Sequence, residues 1–139
     1  MLDVLLCCLG GFSSSALVGN MKKEMEKRGM TDRINIDFSP FAYSPRVLKE
    51  HEYDIIICCP HLARDAKKFI ADNNIKCPVY VLPPQMYGVL DPEEIEKDCL
   101  DVMEIYESDK TNPVHFPGEA NIYQVKRRVA YYNQPGKKK

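Results

Sequence analysis

The chain has 139 residues and a mass of 16.0 kDa, which sets an expectation of one domain. With 45% hydrophobic residues, 28% charged residues and a net charge of −1, it can bury a core, which excludes wholesale disorder. No apolar run approaches the roughly 18 residues of a membrane span. The apolar start Met1–Cys8 carries Asp3 where a signal peptide has bases, so it reads as a strand of a cytoplasmic protein.

Charge is uneven along the chain. From Glu107 to Lys139 there are seven bases and three acids, net +4, which leaves residues 1–106 at net −5. The expected plan is therefore an acidic body, 1–106, and a basic C-terminal extension, 107–139. The six cysteines include two adjacent pairs, Cys7-Cys8 and Cys58-Cys59, without any C-x-x-C spacing. Zinc and thioredoxin-type chemistry are disfavoured, no metal is expected, and reduced thiols are the default.

In chain order, Leu2–Cys8 reads as a buried strand, and Ser13–Arg28 as a helix with Leu17, Val18, Met21 and Met25 on one stripe and Gly29 as its C-terminal cap. Ile34, Ile36 and Phe38 alternate with polar residues, the pattern of an edge strand. Ser39–His51 allows a loop and a short helix begun by Pro45. Asp54–Cys59 is a β-branched strand ended by Pro60, followed by a helix with Leu62, Ala66, Phe69 and Ile70 on one face. Pro78–Leu82 is a fourth strand. Asp91-Pro92-Glu93-Glu94 then opens a helix whose stripe is Ile95, Cys99, Val102, Met103 and Tyr106. Short connections in a β-α-β-α order predict a three-layer α/β/α fold with a four-stranded parallel sheet in flavodoxin-like order. Ligands of such sheets bind beyond the carboxyl ends of the strands.

One of those loops carries a candidate chemistry. Cys8 ends the first strand, and Leu9, Gly10, Gly11, Phe12, Ser13, Ser14 and Ser15 lead into the first helix. A helix start presents unpaired N–H groups and partial positive charge, which suits an anion. The glycines let backbone close around a phosphoryl group, and the serine hydroxyls donate to its oxygens. Cys8 sits on the lip of this cradle, where the helix start favours a nucleophilic thiolate. The same residues also read as a buried Cys followed by a Ser-rich helix cap, and spacing alone does not separate the two readings. Cysteine phosphatases of similar architecture need an Arg six residues after the nucleophile. Here that position is Ser14, with no Arg or Lys between Cys8 and Lys22. A cradle without a cation accepts and hands on a phosphoryl group better than it hydrolyses one.

On these residues the chain resembles the cytosolic IIB component of the bacterial phosphotransferase system, lactose/cellobiose (chitobiose) type. That family opens with a strand ending in Cys-x-x-Gly-Met-Ser-Thr-Ser and Leu-Leu-Val, against Cys8-Leu9-Gly10-Gly11-Phe12-Ser13-Ser14-Ser15 and Ala16-Leu17-Val18 here. Its Gly-Pro-Gln corresponds to Cys59-Pro60-His61, and its Tyr-Gly to Tyr87-Gly88. The resemblance spans roughly residues 2–106. It implies a fold similar to low-molecular-weight tyrosine phosphatase and no cofactor. It also implies that Cys8 accepts a phosphoryl group from a histidine of a IIA component. Cys8 would then pass it to a sugar, a disaccharide such as cellobiose, lactose or chitobiose, during uptake through a IIC membrane component. The rivals are a cysteine phosphatase or arsenate reductase of similar fold and a non-catalytic regulatory relative.

Three secondary features stay open at this level. His61, at the start of the third helix, is either a polar helix-start residue or a hydrogen-bond partner of the phosphoryl group or of the IIA component's histidine. Tyr87 and Gly88, on a third loop, form either a plain turn or a partner contact. The extension is read as a linker, Glu107–Gly118, and a helix over Glu119–Asn133, with a strand as the alternative. That helix packs on the body or a second subunit, or makes a basic amphipathic contact with a membrane. Its two basic clusters are too few for nucleic-acid binding.

Overall fold

Four parallel strands, β1 (Leu2–Cys8), β2 (Ile34–Pro40), β3 (Ile55–Cys58) and β4 (Val79–Val81), pair in the order β2-β1-β3-β4. This is the doubly wound order expected. The structure is a computed structural model that describes residues 1–8 and 12–137, with the backbone alone at 12–15.

Alternation along β1 divides the core into two layers. Val4 and Leu6 face the layer with Val18, Met21 and Met25 of α1 (Phe12–Lys27) and Ile95, Cys99 and Val102 of α5 (Pro92–Asp109). Leu5 and Cys7 face the layer formed by α2 (Ser44–Glu50) and α3 (Ala66–Asn73), which contributes Ala66 and Phe69. Cys8, the last residue of β1, is buried in the same cluster as Cys7.

Local chemistry sets the ends of elements. Asp91 caps α5 by accepting from the Glu93 and Glu94 N–H groups at 3.0 and 3.3 Å, with Pro92 in the first turn. Gly29 takes a left-handed φ of 66° after α1, and Asn74 one of 52° after α3.

Several expectations are corrected. After β3 the chain makes a 3₁₀ turn, Pro60–Leu62, and α3 begins only at Ala66, so His61 lies in that turn and not at the helix start. Tyr87 and Gly88 lie in a helix, α4 (Pro84–Val89), and not in a loop; Pro84 opens this helix because Pro fits its first turn. The helix expected over 119–133 does not form. The segment is irregular, with 3₁₀ turns at Ile122–Gln124 and Tyr131–Asn133. The Asn121 side chain accepts from the Tyr123 N–H, a local bond that competes with helix. The amphipathic element on which the membrane contact rested is therefore absent.

Instead, the C-terminal segment lies along the body. Val114, Phe116 and Tyr131 join the α1/α5 core layer. Asn112 covers the outer edge of β4, accepting from Val79 N at 2.7 Å and donating to Cys77 O at 2.9 Å, while Val114 N donates to Val79 O at 2.8 Å. These bonds satisfy groups that an edge strand leaves open. Among the described residues, no helix is long and apolar enough to cross a membrane.

Candidate functional site

Cys8 stands at the carboxyl end of β1, opposite Pro40 in the β2 register, with α1 beginning at Phe12. Beside it, β3 ends in Cys58, the register partner of Cys7, and the Cys59 N–H donates to Cys7 O at 3.0 Å. The right-handed crossover geometry of parallel sheets thus brings residues 8 and 59–61 to one edge. His61 is exposed there. Tyr87 is half-buried on α4 and packs against both core clusters, whereas Gly88 is exposed and a Cβ added there meets nothing within 4 Å. Packing therefore does not require a glycine at 88.

Cys8 has 0% exposure, where the sequence suggests a thiol on an open lip. Leu9, Gly10 and Gly11 lie outside the described residues, as do the side chains of Phe12, Ser13, Ser14 and Ser15.

The remaining thiols narrow the choice of nucleophile. Burial pushes Cys7 up to about 12, against an opposing hydrogen bond with Ser44, and Cys77 up to about 11. Burial also holds Cys58 and Cys99 well above the ordinary thiol range. These four stay protonated at neutral pH and make poor nucleophiles. No disulfide joins the described cysteines.

Two polar clusters escaped the sequence reading. At the amino end of the sheet, His51 Nε2 meets Asp3 Oδ2 at 2.5 Å. The Asn35 amide donates to Asp3 at 2.9 Å and to Asp37 at 3.3 Å, and Tyr53 OH donates to Asp37 at 2.7 Å. One ligand atom from each of Asp3, Asp37 and His51 falls within 4.8 Å of the others, a set that could hold a divalent cation. The cluster also closes on its own hydrogen bonds. The Asp3 bond holds His51 above its ordinary value. Burial pushes the Asp3 carboxyl up, but Asn35 and His51 outweigh it and hold it low.

The second cluster fastens the C-terminal segment. The Arg127 guanidinium is bidentate to Glu119 at 2.7 and 2.9 Å, and also meets Asp98 at 2.8 Å, Tyr80 OH at 2.8 Å and Val129 O at 2.8 Å. Asp98 further accepts from Tyr80 OH at 2.9 Å and from Tyr131 N at 2.8 Å. Burial works against the Arg127 charge, but Glu119, Tyr80 and Asp98 outweigh it and keep it protonated. Arg127 is the middle residue of the basic triplet Lys126-Arg127-Arg128, and it is buried where the acids at 98 and 119 pair with it.

The family model described as PTS system, Lactose/Cellobiose specific IIB subunit matches residues 3–98 of the chain, a span that includes all four strands except Leu2, and Cys8, His61 and Tyr87. No curated protein matches the chain.

Proposed function

We propose, for a chain that belongs to the lactose/cellobiose-specific IIB family of the phosphotransferase system, that Cys8 is its phosphoryl-carrying nucleophile. The family makes the protein a phosphotransferase component of sugar uptake that partners IIA and IIC components. The finer reading rests on one observation. Within the matched span, Cys8 is the residue that ends a central parallel strand at the carboxyl edge, four residues before a helix N-terminus.

The sulfur attacks the phosphorus of a phosphohistidine on the IIA component. An S–P bond forms, the P–N bond breaks, and the thiol proton ends on the released imidazole. In the second step a hydroxyl of a disaccharide such as cellobiose, lactose or chitobiose, held by the IIC component, attacks the same phosphorus. The S–P bond breaks and the hydroxyl proton ends on sulfur. Leu9, Gly10, Gly11, Phe12, Ser13, Ser14 and Ser15 supply backbone N–H and hydroxyl donors that stabilise the transferring charge, and positioning supplies the rest of the acceleration. His61 assists from the neighbouring turn, and Tyr87 and Gly88 contact the partner. Carrier chemistry lies in residues 1–106, on the cytoplasmic side of the membrane. Because Cys8 is buried, the reading includes an opening of the site when the donor docks.

Incubation with a phosphorylated IIA component tests this, with Cys8→Ser as control. One added phosphoryl mass, mapped to Cys8 and absent from the control, is the expected result. Binding of the donor without any mass gain overturns the reading and identifies a non-catalytic relative; release of inorganic phosphate overturns it in favour of a phosphatase.

A further inference from the structure

The C-terminal segment, beyond the family-matched span, builds one wall of a cleft of about 280 Å³. Its other wall is Ala63 and Arg64, which directly follow the turn bearing His61, and its apolar surface includes Val81, Val114, Ile122 and Tyr123. That volume lies just under the range of small-molecule pockets, about 300–1,000 Å³, and suits one aliphatic or aromatic side chain. Tyr123 is 55% exposed at its mouth.

The charge of the rim decides what accompanies that side chain. Arg64 is exposed and makes no ion pair among the described residues. Glu119, the lining carboxylate, has both oxygens taken by Arg127. Asp65, next in sequence to Arg64, does not line the cleft. The uncompensated charge is therefore one cation beside an apolar slot, complementary to an apolar side chain next to a carboxylate. A surface meant for an anionic membrane would need several cations, which favours a protein occupant.

The geometry points to this cleft as a docking slot on the chain for a segment of the IIA phosphoryl donor in which an aliphatic or aromatic side chain adjoins Asp or Glu. This rests on the reading of Cys8 as the phosphoryl acceptor. A typical specific interface covers about 800 Å² per partner, a disc roughly 16 Å in radius. A donor seated over the His61 turn to reach Cys8 therefore also covers residues 63 and 64. The C-terminal segment then serves partner choice, with Arg127 fixing its wall.

The test uses the full chain and a purified lactose/cellobiose-type IIA component. Steady-state transfer from the phosphorylated donor is measured for wild type, Arg64→Glu and Tyr123→Ala, both altered at exposed positions. The expected result is a KM for the donor raised about tenfold by Arg64→Glu, with kcat within twofold and an unchanged thermal midpoint. In wild type, methyl NMR signals of Val81, Val114 and Ile122 shift on adding unphosphorylated IIA. Unchanged KM in both variants, or unmoved methyl signals, overturns the slot. If Arg64→Glu slows only the transfer to sugar in IIC-containing vesicles, the occupant is the acceptor and the donor assignment is overturned. Methyl shifts that Arg64→Glu abolishes, in a protein whose Cys8 gains no phosphoryl group, uphold the slot while the carrier reading fails.

Discussion

Arg127 Nη1 lies 2.8 Å from Asp98 Oδ2, joining the C-terminal segment to α5 through a pair whose side chains are 3% and 0% exposed. With Glu119 also paired to Arg127, two buried carboxylates share one guanidinium, and Asp98 draws further support from the Tyr80 hydroxyl and the Tyr131 N–H.

Removing that cation strands both acids. Breaking a buried pair costs about 3–5 kcal/mol, so Arg127→Met is expected to lower the thermal midpoint by roughly 10 °C. Circular dichroism melting measures this, and a drop of only a degree or two contradicts the hub. Adding Asp98→Asn and Glu119→Gln to Arg127→Met recovers part of the loss, because the carboxylates left unpaired are then gone.

The His51–Asp3 pair predicts a pH dependence of defined sign. His51 is held above its ordinary value of 6.5 by the Asp3 hydrogen bond, with Asp37 adding to the attraction. Its contribution to stability is fully present below the unfolded-state value and is lost as pH rises through the folded value. Asp3, held low in the folded state, contributes above its unfolded-state value of 3.8 and loses that contribution in acid. An NMR titration of His51 is expected to show a midpoint above 6.5 that falls in Asp3→Asn; equal midpoints in the two proteins reject the pairing.

His61 is exposed in the turn beside the end of β1, so His61→Ala is expected to leave the melting temperature within about 1 °C. Phosphoryl transfer to Cys8 slows severalfold without stopping. An unchanged rate means that this imidazole serves only the turn.

Alkylation of the folded protein separates the thiols. Cys77 is partly exposed and lies near 11, whereas Cys7 is buried and pushed to about 12, and Cys58 and Cys99 are held well above the ordinary range. Peptide mapping after iodoacetamide at rising pH is expected to find Cys77 labelled before those three. Because Cys8 is buried, its label is read after unfolding: prior incubation with the phosphoryl donor is expected to protect it, and equal labelling of unfolded Cys8 with and without that incubation contradicts its role.

The β-branched run Ile55-Ile56-Ile57 and the Asp91-Pro92 helix start were legible because strand and cap chemistry act within a few residues. The same holds for the α1 stripe of Val18, Met21 and Met25, all buried as expected. Tyr87 was misplaced because Pro83-Pro84 serves equally as a strand stop and as a helix start. The segment 119–133 was misread because its apolar spacing suits a helix in isolation. Its backbone is fixed instead by Asn121 locally and by the distant partners of Arg127.

Chain order, hydrophobic spacing and the Cys8–Ser15 motif belonged to the sequence alone: the parallel sheet, its strand order and a family whose model matches residues 3–98 follow from short-range patterns. Folding decided the rest. It buried Cys8, assembled Asp3, Asp37 and His51 from three elements, and turned a surface-type basic triplet into an anchor. The reason is that a side chain's burial and partners depend on residues 29 to 48 positions away, whose approach is set by the packing of whole elements and not by any local pattern.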